Sequence, residues 1–127
     1  MRAMTATVAI SLALILALSA ACGLYSRRIS EDFRLETQRT AAAIREDRWQ
    51  EAMDRVRRLE RQWEKRSEIL AMWVNHGDVD EVSIGFARLR LSIEAEERYH
   101  SLRCAEELEE ALALIYSRDA FTLKNIL

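Results

Sequence analysis

The stretch WQEAMDRVRRLERQWEKRSEILAMW, from Trp49 to Trp73, decides the fold. Trp49, Ala52, Val56, Leu59, Trp63, Arg66, Leu70 and Trp73 alternate in steps of three and four. That spacing is an a/d seam over nearly four heptads, interrupted once by Arg66. All three tryptophans of the chain lie on it. The seam reads as the inner stripe of a central helix in a bundle; pairing with a second copy is the alternative. An indole buries much area but needs a partner for its N–H. Arg66 and the tryptophans are therefore expected toward the wetter edge of the seam.

The other faces of this helix carry Arg48, Arg55, Arg57, Arg58, Arg61 and Lys65. Glu51 stands four residues before Arg55, and Asp54 four before Arg58. Such pairs dress a solvated helix face. With a formal net charge of -2 for the chain, a nucleic-acid partner is excluded from the expectation. Beyond Tyr25, 12 basic and 10 acidic residues lie in Ser26–Gly77, and 6 and 11 in Asp78–Leu127. The asymmetry is too small to name a partner.

Outward from the seam, the chain of 127 residues has no proline and three glycines, Gly23, Gly77 and Gly85. Few breakers and much Ala, Leu, Glu and Arg predict an all-α domain. The expected architecture is an N-terminal transmembrane or signal-anchor helix, residues 1–27, followed by a small antiparallel bundle of three to four helices, residues 28–127. Ala3–Tyr25 carries no charge; as a helix it extends about 34 Å, enough to cross a hydrocarbon core of about 30 Å.

The end of that segment, LALSAACGLYSRR from Leu16 to Arg28, holds Cys22 where a lipoprotein is cleaved and acylated. Leu18 stands four residues before Cys22, where three is preferred. The apolar run continues through Gly23, Leu24 and Tyr25 before Arg27-Arg28 stops it, and a tyrosine followed by arginines is how a spanning helix meets the interface. The reading favours a retained anchor. Cys22 as a lipidation site and plain signal cleavage after Ala20-Ala21 remain its alternatives. Arg2 and the α-amine favour a cytoplasmic N-terminus, while Arg27, Arg28 and Arg34 pull the other way. The export-like N-terminus tips the expectation toward a single-pass membrane protein with an extracytoplasmic domain.

Along the soluble part, Ser30 before Glu31-Asp32 is a helix start. Phe33, Thr37, Ala41 and Ile44 then form one stripe, on a helix running to Arg45 and continuous or nearly so with the anchor. Asp47 offers the cap of the seam helix. In NHGDVDEV, from Asn75, Gly77 is expected at the left-handed C′ position, with Asp78 or Asp80 capping the next helix. A metal site recruiting His76, Asp78, Asp80 and Glu81 is not expected, because a tight turn seldom converges four ligands. Val79, Val82, Phe86, Leu89 and Ile93 line a third helix on which Gly85 permits a close neighbour. A turn is expected between Glu96 and Ser101, although one helix from Asp80 to Tyr116 is also compatible. Leu102, Ala105, Leu108, Leu112 and Ile115 give the last stripe. Phe121, Leu123, Ile126 and Leu127 make the tail too apolar for water: it packs back on the bundle or docks on another protein or the membrane. Cys22 and Cys104 cannot plausibly pair, and Cys104 reads as an ordinary buried small residue.

Taken in order, the apolar N-terminus, DRWQEA (47–52), MWVNHGDVDEVSIGFARL (72–89) and the closing FTLKNIL (121–127) resemble the small bacterial membrane-anchored family called domain of unknown function 4363. The resemblance runs roughly from Trp49 to Leu127 and, in layout, includes the anchor. It implies a secreted or membrane-tethered helical domain and carries over no activity, cofactor or catalytic residue. A lipobox-like Cys22 is not part of that resemblance, which again favours the retained anchor.

The chain offers two histidines, no Gly-rich phosphate loop and no nucleophile elbow, so no enzyme, cofactor or metal is expected. The function expected is a membrane-tethered helical interaction module, accessory to an integral membrane protein. The alternatives are a homo-oligomer joined through the Trp49–Trp73 seam, a lipoprotein acylated on Cys22 that binds an extracytoplasmic ligand, and a sensor with a small apolar pocket lined by tryptophans near Gly85.

Overall fold

A computed structural model describes the backbone of residues 1–126 and the side chains of residues 1–116. Four helices follow in order: α1, Arg2–Arg45; α2, Trp49–Leu70; α3, His76–Glu94; and α4, Arg98–Ile126. The described residues contain no strand. Each helix packs on the next, and α4 returns to α1, closing a ring. Short turns at 46–48, 71–75 and 95–97 make sequential helices antiparallel, the up-down-up-down bundle.

α1 is one unbroken helix of 44 residues, about 66 Å long. The boundary drawn at residue 27 therefore falls inside it. Its first half stands clear of the bundle. From Ser26 onward one face is buried, through Ile29, Ser30, Phe33, Thr37, Thr40, Ala41, Ala43 and Ile44. Much of that face is small or hydroxylated, which lets neighbours come close. Thr37 and Thr40 donate to the carbonyls of Phe33 (2.8 Å) and Glu36 (2.9 Å), so their hydroxyls are satisfied within the helix. Ser30 does not cap a helix start. It lies mid-helix, and its hydroxyl donates to the main-chain carbonyl of Leu112 in α4 at 2.7 Å.

The seam is consumed inside the chain. Ala52, Val56, Leu59, Trp63 and Leu70 are buried, with Trp63 1% exposed. Trp63 meets Phe33 edge-on with centroids 5.5 Å apart and Phe86 at 6.1 Å, and Phe33 meets Phe86 at 6.0 Å. Three helices thus contribute one aromatic cluster. The Trp63 indole N–H donates to the Ser83 hydroxyl at 2.9 Å, so the ring sits in the core and not at its edge. Arg66, in contrast, is exposed. On α3, Val79, Val82, Phe86, Leu89 and Ile93 are buried, as are Cys104, Ala105, Leu108, Leu112 and Ile115 on α4. Leu102 packs against this core partly buried.

The turns depart from the expected chemistry. Asp47 does not cap α2. It takes the left-handed φ of 56° after α1, with its N–H donating to Ile44 (3.1 Å) and the N–H of Arg48 to Ala43 (2.9 Å). Glu96 repeats this after α3 at φ 52°, its N–H on Ile93 (2.9 Å) and that of Glu97 on Ser92 (3.2 Å). Both are Schellman closures with an acidic residue where glycine is usual.

Gly77 adopts no positive φ and lies in the first turn of α3. α2 ends earlier than the seam suggested, at Leu70, and Trp73 falls in the turn. The cap of α3 is Asn75, whose side-chain oxygen accepts from the Gly77 N–H at 2.7 Å. Asn75 competes better than Asp78 or Asp80 because it alone stands at the extended residue before the first helical turn (ψ 130°). Asp78 is instead buried in that turn, where an acid suits the helix dipole. The last turn occupies 95–97, at the start of the expected window, and excludes a single helix from Asp80 to Tyr116. On the surface Glu51 pairs with Arg55 at 3.2 Å as expected, whereas Asp54 accepts from Gln50 at 3.1 Å instead of pairing with Arg58.

Candidate functional site

Two ends of the bundle differ in chemistry. At the end far from the apolar half of α1, the turns Glu46-Asp47-Arg48 and Ala95-Glu96-Glu97 are charged. There Arg98 grips Asp47 with its Nη2 2.5 Å from Oδ2, tying the start of α4 to the α1–α2 turn. That hydrogen bond and the carboxylate charge hold the Arg98 guanidinium above its ordinary pKa.

The opposite end, where α1 leaves the bundle, is aromatic. Tyr25 and Trp73 meet edge-on with centroids 5.7 Å apart, and the Trp73 indole N–H donates to Ser26 Oγ at 2.8 Å. Arg66 Nη1 donates to the Tyr25 hydroxyl at 3.2 Å. Arg27 lies over the Tyr116 ring, 5.5 Å from its centroid, and pairs with Glu31 at 3.0 Å. Trp73 and Tyr116, remote in sequence, thus meet the emerging helix close together, at Tyr25 and Arg27. Sequence reading had singled out Tyr25 for this place and had assigned Trp73 only to the seam. Tyr116 was missed; the signal was its position at the end of the α4 stripe.

Below Tyr25 α1 carries no charge down to Ala3. An 18-residue window of it has a mean hydropathy of 2.3 with none of it buried. Met4, Val8, Ile10, Leu12, Leu14, Ile15, Leu16, Leu18 and Leu24 are all exposed. At roughly 1.5–3 kcal/mol per apolar side chain left in water, their sum rivals the whole stability of a small domain, about 5–15 kcal/mol. α1 is the one described helix long and apolar enough to cross a membrane, a property shared by anchors and by signal sequences. Cys22 lies within it without a break and is half-buried, on the face that continues through Ser26 and Ser30.

Elsewhere the surface is shallow. A groove of ≈ 390 Å³ between α1 and α2 is lined by residues including Asp32, Gln62, Lys65 and Arg66. Another of ≈ 520 Å³ between α1 and α4 mixes Arg45 and Arg103 with Glu106 and Glu109. Neither includes a tryptophan. The gap beside Gly85 is filled: a Cβ there would stand 3.0 Å from Leu108 Cδ1. Among the described residues no three His, Cys, Asp or Glu side chains are grouped to hold a metal. His76 stands at the anchor end and His100 near the start of α4. Cys104 Sγ is 3.8 Å from His100 Nε2, and burial raises its pKa, the opposite of what an activated thiolate needs. The tail residues Phe121, Leu123, Ile126 and Leu127 lie outside the residues whose side chains are described.

A family model, Domain of unknown function (DUF4363), matches residues 25–126. The chain belongs to this family. The DUF4363 match begins at Tyr25, so it covers α1 from the point where that helix meets the bundle and leaves out both the apolar half and Cys22. It extends the resemblance noted from Trp49 back by about half a helix, across the face that packs on α4. No match was found among curated proteins or among solved structures.

Proposed function

We propose that this DUF4363 chain is a non-enzymatic, membrane-tethered helical module that serves as an accessory subunit to an integral membrane protein. One observation carries the reading: the exposed apolar half of α1 and the bundle-forming half are a single unbroken helix. A bilayer holding the first half fixes the height and attitude of the second, which suits a module whose partner sits in the same membrane. The aromatic residues Tyr25, Trp73 and Tyr116 near the junction add support, since such residues favour the membrane–water interface. On this reading the chain is a single-pass protein of a bacterial cell membrane with an extracytoplasmic domain and a retained anchor.

Self-association through the α2 seam is the second reading; it has less to draw on, because Ala52, Val56, Leu59, Trp63 and Leu70 are buried in the chain's own core. Affinity purification of the full chain from membranes in mild detergent tests the proposal. An integral membrane protein enriched in stoichiometric amount is expected. A protein that runs only as a free monomer would count against it. Intact mass of the membrane-extracted protein checks the anchor: the full-length mass is expected, while a mass cleaved before Cys22 and raised by a diacylglyceryl group would establish the lipoprotein alternative.

A further inference from the structure

We infer that the α2–α3 turn, residues 71–75, is a second point of contact with the bilayer, with Met72 at its tip lying in the interfacial layer beside α1. The inference rests on the membrane-tether reading and goes beyond it by naming which face of the bundle touches lipid.

The height of the turn comes first. Trp73 bonds Ser26 and stacks edge-on against Tyr25, so the turn stands level with the end of the charge-free stretch Ala3–Tyr25. If that stretch fills the hydrocarbon layer, the turn is already at the boundary. Composition comes second. Ala71, Met72, Trp73, Val74 and Asn75 carry no charge, whereas five of the six residues in the two far-end turns are charged. Water alone supplies no reason for that asymmetry; a bilayer at one end does. Met72 is 81% exposed and Ile69, one residue before the end of α2, is also exposed.

The cations stand where a bilayer would want them. Arg27 and Arg28 on α1, less than one turn past Tyr25, and Lys65 and Arg66 on α2, about two turns before Trp73, are exposed within snorkelling reach of lipid phosphates. Arg27 is itself paired with Glu31, so the two offset each other. Asp32 on α1 and Glu64 and Glu68 on α2 are exposed acids on the same stretches, so this layer is mixed in charge and the height and composition of the turn carry the inference.

The test uses the full chain in vesicles of phosphatidylcholine and phosphatidylglycerol, with Cys22→Ala and Cys104→Ala removing the native thiols. A nitroxide is placed in turn at Met72→Cys, Tyr99→Cys and Ile15→Cys, three exposed sites whose change leaves the core intact. Collision with oxygen and with a water-soluble nickel chelate reports depth. The Met72 site is expected to be several-fold less accessible to the chelate than the Tyr99 site and to lie shallower than the Ile15 site. A Met72 site as open to the chelate as Tyr99, with Ile15 in hydrocarbon, overturns this inference and leaves the tether standing. An aqueous Ile15 site overturns both.

Discussion

Ser30 donates its hydroxyl hydrogen to the main-chain carbonyl of Leu112, 2.7 Å away and 82 positions later in the chain. It is a buried bond between α1, the helix that carries the apolar segment, and α4, the helix that ends the chain. Ser30 is 3% exposed, so no water replaces the lost partner readily. Ser30→Ala is expected to lower unfolding stability by about 1 kcal/mol. Urea titration of the full chain in mild detergent, followed by circular dichroism, measures it; an unchanged midpoint would mean the bond contributes nothing.

Trp63 is the keystone of the aromatic cluster. Trp63→Ala is expected to cost about 3–5 kcal/mol by opening a cavity among Phe33 and Phe86, while Trp63→Phe costs less and leaves the Ser83 hydroxyl without its donor. If α2 instead paired with a second copy, Trp63→Ala would shift oligomeric state in sedimentation before it shifted monomer stability.

Gly85 faces Leu108. A methyl at this position gains about 1 kcal/mol of helix propensity, yet it stands 3.0 Å from a buried Leu108 Cδ1, where overpacking costs about 1–3 kcal/mol. The two nearly cancel. Gly85→Ala is expected to fall within about 1 kcal/mol of the parent, and Gly85→Leu to lose clearly more by driving α3 off α4. Thermal melts of both variants separate the outcomes.

Two acidic residues hold left-handed turns, and only one of them is otherwise engaged. Glu96→Gly removes the Cβ conflict at φ 52° and is expected to stabilise by about 0.5–1 kcal/mol. Asp47→Gly relieves a similar conflict at φ 56° but forfeits the Arg98 pair, so its gain is smaller and vanishes further at low salt. Equal gains from the two would show that the Arg98 contact contributes nothing.

Cys104 is buried, and that burial raises its pKa above the ordinary thiol value. The neutral thiol is therefore favoured in the folded state: the associated stability is present below the unfolded thiol pKa and declines as pH rises through it. In a Cys22→Ala background, Cys104 is expected to react slowly with a thiol reagent near pH 8 and fast once denatured. Glu51 has the opposite sign. Hydrogen bonds from Arg48 and then Arg55 lower its pKa, so its contribution is present at neutral pH and lost as pH falls below the usual carboxylate range. Salt weakens that acid-side loss, because the group is exposed.

The sequence by itself determined that the chain is helical and which stripes of α2, α3 and α4 face inward; it left the break between α3 and α4 open and read a helix start at Ser30, inside α1. The 3,4 spacing from Trp49 to Leu70 and the matching stripes on α3 and α4 carry that information locally, because helical periodicity needs no knowledge of neighbours. The charge-free run to Tyr25 and its arginine stop were equally local. Turn chemistry was not. Gly77 looked like a helix end and Asp47 like a cap, but the left-handed positions went to Asp47 and Glu96, where the lengths of packed helices placed the chain reversals. Ser30 had the composition of a cap and became a bond across α1 and α4. That Trp73 and Tyr116 join Tyr25 near the exit of α1 required the tertiary structure. These residues belong to different elements, and they come together only because antiparallel helices of set length bring residues 25, 73 and 116 to the same end of the bundle.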